Sequence, residues 1–229
     1  MSGITVENKS VVVPGEELCN DMGFLPGQGT YRQGERIYAE RLGLVSVDGR
    51  TIKIIPLSGK YMPKRDDVII CKVIDITLNG WRLDTNSAYS AMLGLKEGSS
   101  DFIQRGADLT QIYGIGDYVM CQVINVTSQK LVDVSMRGPG LRKLKGGRVI
   151  EVNAYKVPRI IGKQGSMISM IKQELNCNIL VGQNGLVWIH GEPLNEQKAI
   201  EAIRKIEQES HISGLTEKMK EFLQKNRVR

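Results

Sequence analysis

Along the first sixty residues the apolar positions never settle into a helical period. Short runs in "VVVPGEEL" (11–18) and "GFLPGQGTYRQGERI" (23–37) break on Gly or Pro within a few residues, the text of strands and turns. In "IYAERLGLVSVDGRTIKIIPL" (37–57) two apolar-rich runs flank Asp48-Gly49. That pair predicts a hairpin whose two turn residues both take positive φ. Ile52 and Ile54 alternate with Thr51 and Lys53, and Pro56 ends the run, because proline cannot donate to a ladder. Residues 1–62 therefore read as a small N-terminal β domain. Its core is thin, so it is expected to lean on a neighbour or a partner.

Residues 63–138 stay β-rich. "DVIICKVIDIT", "GWRLDT", "YSAML", "DYVMCQVINVT" and "LVDVSM" are five strand candidates with one longer connection, 94–116. Five strands in about 75 residues fit a small closed barrel of the oligonucleotide-binding (OB) type. Val68, Ile70, Lys72 and Ile74, and likewise Val119, Cys121, Val123 and Val126, alternate only in part, as strands of a curved barrel do. Residues 139–146 lie in "RGPGLRKLKGGR", which mixes basic residues with Gly and Pro and holds no acid. This stretch reads as a hinged, positively charged linker.

Beyond it the period changes. In 147–211, "VIEVNAY" reads as a strand and "VPRII" as a short helix with Pro158 in its first turn. Met167, Ile168, Ile171 and Leu175 recur at helical spacing, as do Ala199, Ile200, Ile203 and Ile206. Between these helices, "CNILV" and "LVWIH" are strands joined by "GQNG", where Asn184-Gly185 marks a tight hairpin. The order is strand, helix, helix, strand, strand, helix. Residues 212–229 add a basic amphipathic helix with Leu215, Met219, Phe222 and Leu223 in register. The fold expected is mainly β in the first two domains and α/β in the third.

Charge sharpens this division. Residues 1–136 hold 14 Lys+Arg against 16 Asp+Glu, whereas 137–229 hold 17 against 9. Positive charge thus gathers in the C-terminal part, as suits a polyanion partner, although a basic domain with no such partner has the same balance. The cysteines Cys19, Cys71, Cys121 and Cys177 are far apart, and neither His190 nor His211 stands near one at ligand spacing. Buried thiols are expected, and no metal or cofactor. No run of apolar residues is long enough to span a bilayer, and "MSGITVENKS" is not a secretory signal; a cytoplasmic chain is expected.

The chemistry concentrates in "RIIGKQG" (159–165). Gly162 and Gly165 lack a Cβ, so a sugar–phosphate backbone can approach the main chain. Lys163 adds a mobile cation, Gln164 a polar tip, and no carboxylate lies between Arg159 and Gln173. The following helix turns its unpartnered first amides towards the loop. Set between the first two helices of this order, "IIGKQG" resembles the KH domain, whose GXXG loop clamps nucleotides. By that resemblance Arg159 and Gly162, Lys163, Gln164 and Gly165 hold phosphates. Ile161 and Ile168 either flank a groove for bases or belong to the core.

"DDVIICKVIDITLNGWRLD", "GIGDYVMCQVINVT" and "LVDVSM" resemble the S1-motif variant of the OB fold. Where that family often exposes aromatics, this chain has Asn79, Gly80, Trp81 and Arg82. With Trp81 and Leu83 inward, Arg82 takes the outward position. Lys72, Arg82, Tyr89, Arg105 and Arg137 are candidates for an RNA-binding face, with ordinary solvated residues as the alternative. "LPGQGTYRQGERIYA" (25–39) and "GQNGLVWI" (182–189) complete a resemblance to the S1–KH cap subunits of the RNA exosome, in their compact archaeal form. For the second motif a structural role is expected: Gly182, Asn184 and Gly185 form a turn that sets Trp188 between the barrel and the KH domain.

The resemblance implies a non-catalytic subunit. It would capture single-stranded RNA, including A-rich tails, for an RNase-PH-like hexameric ring carrying three caps, each anchored by its N-terminal domain. The residues agree in part. A metal-dependent nuclease needs converging carboxylates, whereas Glu16-Glu17 and Asp66-Asp67 sit in turns, and no Walker loop, nucleophile elbow or HExxH occurs. The alternatives are a NusA-like transcription factor, which has two consecutive KH units, and an accessory chain of a polynucleotide phosphorylase-like nuclease, which places KH before S1.

Overall fold

The strand text of the first sixty residues folds as two small sheets around one core. In the computed structural model, which describes residues 3–99, 107–210 and 214–225, these strands form a unit, Met1–Gly59, separate from Lys60–Arg229. The strands are β1 (Val11–Val12), β2 (Glu17–Cys19), β3 (Leu25–Pro26), β4 (Thr30–Gln33), β5 (Arg36–Ala39), β6 (Gly43–Asp48) and β7 (Thr51–Pro56). The sheets run β1-β6-β7-β3 and β2-β5-β4. Val12, Leu18, Ile37, Val45, Ile52 and Ile54 fill the space they share.

The turn between β6 and β7 differs from the expected one. Asp48 pairs with Thr51, so the loop residues are Gly49 and Arg50, and only Gly49 has positive φ, at 58°. This is the primed turn that needs glycine at its first central position. Asp48 stays in the ladder because the register that buries Ile52 and Ile54 leaves it there. On the outer face Val11, Leu44 and Ile55 lie abreast across three strands, with Val11 and Ile55 exposed by 59% and 52%.

The second unit begins with a closed barrel. Its elements are β8 (Val68–Thr77), β9 (Gly80–Asp84), β10 (Ser90–Gly94), α1 (Leu95–Gly98), β11 (Tyr118–Val126) and β12 (Val132–Ser135). The sheet order is β12-β10-β9-β8-β11, and β12 also pairs with β11, which closes the ring; β10 and β12 run parallel. Trp81 and Leu83 point inward and are fully buried, and the Trp81 indole donates to the Tyr113 carbonyl at 3.0 Å. Gly98 packs against that indole, where a Cβ would stand 2.5 Å from the ring. All four cysteines are buried and free, with the thiols of Cys71 and Cys121 3.6 Å apart.

On β8 the core face is Ile69, Cys71 and Val73, which alternate with Val68, Ile70, Lys72 and Ile74. Ile70 points out of the barrel and is nevertheless fully buried, because the KH domain covers it. A strand buried on both faces shows no clean period of two. Bulges between Val73 and Asp75 on β8, and between Val123 and Asn125 on β11, then shift the register and blur it further.

The basic segment is not an open hinge. Arg142–Leu144 forms β13, a further strand along β11, and Lys143 is paired with Asp117. Partial burial alone would push the Asp117 carboxyl up, but the Lys143 ammonium and the Gly114 amide hold it below its ordinary value. The pair is therefore intact at neutral pH and is lost only as the pH falls through the carboxylate range.

The KH order follows: β14 (Arg148–Glu151), α2 (Val157–Ile161), α3 (Ser166–Leu175), β15 (Asn178–Val181), β16 (Leu186–His190) and α4 (Pro193–Gln208). The strands make an antiparallel sheet, β14-β16-β15. The apolar faces of the helices meet over it through Ile160, Ile171, Leu175, Ala202, Ile203 and Ile206. α5 (Leu215–Lys225) buries Leu215, Met219 and Leu223 in this same core. The C-terminal stretch is thus part of the KH body as far as it is described. Among the described residues no helix is long and apolar enough to cross a membrane.

Candidate nucleic-acid interface

The glycine loop is built by three left-handed residues in a row of four. α2 ends at Gly162, whose φ is 77° and whose amide donates to the Pro158 carbonyl at 3.0 Å. Gln164 (φ 53°) and Gly165 (φ 78°) follow, so the chain reverses within one tight turn and enters α3. Gly162 is required twice over, since a Cβ there would also stand 2.7 Å from the Met167 side chain. Gly165 opens outward, with only the Ser169 hydroxyl as near as 4.0 Å. Lys163, Gln164 and Ser166 are exposed. Gly165 has no side chain to cap α3, so the positive end of that helix faces the loop.

Around the loop, Arg159 is exposed on α2, and the two isoleucines belong to the packing of the domain. Ile168 is 8% exposed in the KH core, and Ile161 is half-buried against it. Of the basic residues that the sequence gathers before the loop, Lys143 is engaged by Asp117, and Arg148 by Glu196 at 3.2 Å. Arg142, Lys145 and Lys163, all exposed, remain as candidates for a polyanion.

The barrel candidates do not make one basic track. Lys72 is exposed on β8, its ammonium 5.9 Å from the Tyr118 ring centroid. Its cross-strand partner is Asp84, and that of exposed Arg82 is Asp75. Tyr89 is half-buried against the barrel core, a packing role that its place just before β10 explains. Arg137, beyond β12, donates to the Ser99 carbonyl at 3.4 Å. Arg105 lies outside the described residues. Among the described residues no three His, Cys, Asp or Glu side chains converge as a cation site.

"GQNG" is a hairpin that plugs into the barrel. The Gly185 amide donates to the Gly182 carbonyl at 3.1 Å, and only Gly185 of the Asn-Gly pair has positive φ, at 84°. β9 pairs with β8 only from Lys72 onward, which leaves the edge at Val68 and Ile70 open, and the turn fills it. Asn184 accepts from the Ile70 amide at 3.3 Å and donates to the carbonyls of Ile70 and Thr85 at 2.7 and 2.8 Å. Gln183 exchanges two further bonds with the main chain of Val68. Gly182 passes so close that a Cβ would stand 2.7 Å from the Ile70 amide. Behind the turn Trp188 packs on Ile70 and Leu144, and its indole donates to the Gly146 carbonyl at 2.8 Å. Gln183 carried no signal in the sequence, since a glutamine in a turn is ordinary.

Comparison with known proteins agrees with this order of parts. Residues 11–48 match the family model described as the exosome complex exonuclease RRP4 N-terminal region, and residues 147–205 match that of the KH domain. The exosome complex component Rrp4 of Methanobrevibacter smithii is 43% identical over 220 residues, which cover 96% of this chain and 72% of its own. That of Methanothermus fervidus is 41% identical, over 95% of this chain and 96% of its own. That of Pyrococcus furiosus is 40% identical, over 97% and 86%. A crystal structure described as an exosome complex RNA-binding protein matches with a TM-score of 0.67 at 27% identity, covering 74% of this chain and 98% of that one. With such identity over nearly its whole length, the chain belongs to the Rrp4 family of exosome complex components.

Proposed function

We propose that this chain is a non-catalytic RNA-binding cap of an archaeal-type exosome, which captures single-stranded RNA and delivers it to a ring of RNase-PH-like subunits. The observation that carries the reading is the loop at 162–165. Two glycines bring the main chain to the surface, an exposed lysine lies between them, the helix that follows has no side-chain cap, and the chain carries no acid from Arg159 to Gln173. Such a site holds phosphates and leaves base identity largely unread. One copy therefore binds with modest affinity and weak sequence preference, and three copies round one pore gain by avidity. The barrel residues Lys72, Arg82 and Arg137 serve the same strand as secondary contacts. Bond cleavage belongs to the ring.

The N-terminal unit is the proposed anchor. Its outer row of Val11, Leu44 and Ile55 is an apolar stripe on a domain with a small core, the feature expected where a partner completes the burial. Mixing the chain with the hexameric ring should give a complex with three copies per ring, as read by analytical ultracentrifugation. The chain alone should retain RNA without shortening it. Changing Val11→Asp together with Ile55→Asp should weaken ring association by about tenfold or more, since a carboxylate would have to be buried without a partner. RNA binding by the free chain should stay as it was. Ring association that survives both substitutions would place the anchor elsewhere.

A further inference from the structure

α5 is an addition to the six-element KH order, and it lies along α3. With Leu215, Met219 and Leu223 turned into the core, Thr216 and Lys220 come up one turn apart on an exposed strip. They share a surface groove with Ser166, Ser169 and Gln173 of α3. Met170 also lines this groove, and Glu174 lies furthest along α3 from the glycine loop. The groove begins beside that loop, since Ser166, the residue after Gly165, is among those that line it. From Ser166 to Glu174 the helix advances about 12 Å, at 1.5 Å per residue.

The chemistry of the groove suits a nucleic-acid strand. Three hydroxyls donate and accept, an amide does both, and the Lys220 ammonium supplies positive charge, with the Glu174 carboxylate at the end of the groove away from the loop. We propose that the α3–α5 groove is a second RNA subsite, receiving the strand as it leaves the glycine loop, with Lys220 on a phosphate and Ser169 and Thr216 on phosphate or ribose oxygens. The proposal rests on the loop reading, since the groove is entered from the loop.

The test uses the full chain and oligoadenylates four and eight nucleotides long, with fluorescence anisotropy as the readout. Four nucleotides occupy the loop alone, and eight reach the groove. Lys220→Ala should weaken the longer RNA about fivefold at 0.1 M salt, from roughly 0.7 counterion released per phosphate. The shorter RNA should bind within about twofold of the parent. Thr216→Asp should act in the same direction. Its carboxylate falls in the first turn of α5, where it favours the helix, so unfolding is not the cause. Lys218→Ala is the control for charge: Lys218 sits outside the groove and pairs with Glu209 at 2.8 Å.

Equal losses on both lengths, losses no larger than those of Lys218→Ala, or no loss at all would overturn the subsite and leave the loop standing. If substitutions at Lys163 and Gln164 also leave both lengths untouched, the loop reading itself fails, and the groove with it.

Discussion

Replacing Asn184 with alanine is expected to cost the folded chain about 3–5 kcal/mol, a large share of the stability of an ordinary domain. The side chain is 1% exposed and makes three hydrogen bonds to the barrel main chain. Alanine removes all three and leaves the Ile70 amide and the carbonyls of Ile70 and Thr85 buried without partners. Each orphan costs about 1–3 kcal/mol, and the terms do not add fully because the groups adjoin. Aspartate should be no better. It keeps one acceptor, loses both donors and sets a negative charge against two carbonyl oxygens. In urea denaturation the Asn184→Ala chain should unfold at a clearly lower midpoint, whereas a loss below about 1 kcal/mol would show that the turn merely touches the barrel.

The second large effect is on RNA. Changing Lys163→Asp together with Gln164→Asp should weaken binding of single-stranded RNA by about tenfold to a hundredfold, or roughly 1.4–2.8 kcal/mol. The same change should leave stability unaltered or slightly raised, because carboxylates at a helix N-terminus contribute about 0.3–1 kcal/mol each. Aspartate also tolerates the left-handed conformation that Gln164 occupies at φ 53°. The two effects have opposite signs, so a loss of RNA cannot be ascribed to a damaged fold. Circular dichroism melting and anisotropy titration on the same preparation separate them. Unchanged affinity would make the loop a turn and nothing more.

Much of this architecture is legible in the residues. Trp81 and Leu83 declare themselves as core by flanking a charged Arg82 at the strand period. Met167, Ile168, Ile171 and Leu175 fix the face of α3, and the two glycines between α2 and α3 mark the loop. What the sequence hides is whatever depends on a neighbour far along the chain. Ile70 points out of its own barrel, yet it is buried there by Trp188. Arg142–Leu144 looks like a hinge until β11 offers an edge to pair with. Lys143 and Arg148 count as cations for RNA until Asp117 and Glu196 are seen beside them. The barrel face is obscured for the same reason, since Asp75 and Asp84 come opposite Arg82 and Lys72 only across the sheet.

The central claim is that main-chain amides at the glycine loop, with a few nearby cations, hold the phosphates of RNA. Its most direct test is the dissociation constant of single-stranded RNA from the full chain, measured against salt for the parent and for the Lys163→Asp, Gln164→Asp variant. With about four phosphates neutralised, the parent log–log slope should lie near −3, at roughly 0.7 per phosphate, and the variant slope should be shallower by about 0.7 or more. A flat slope, or two lines that coincide, would contradict the account.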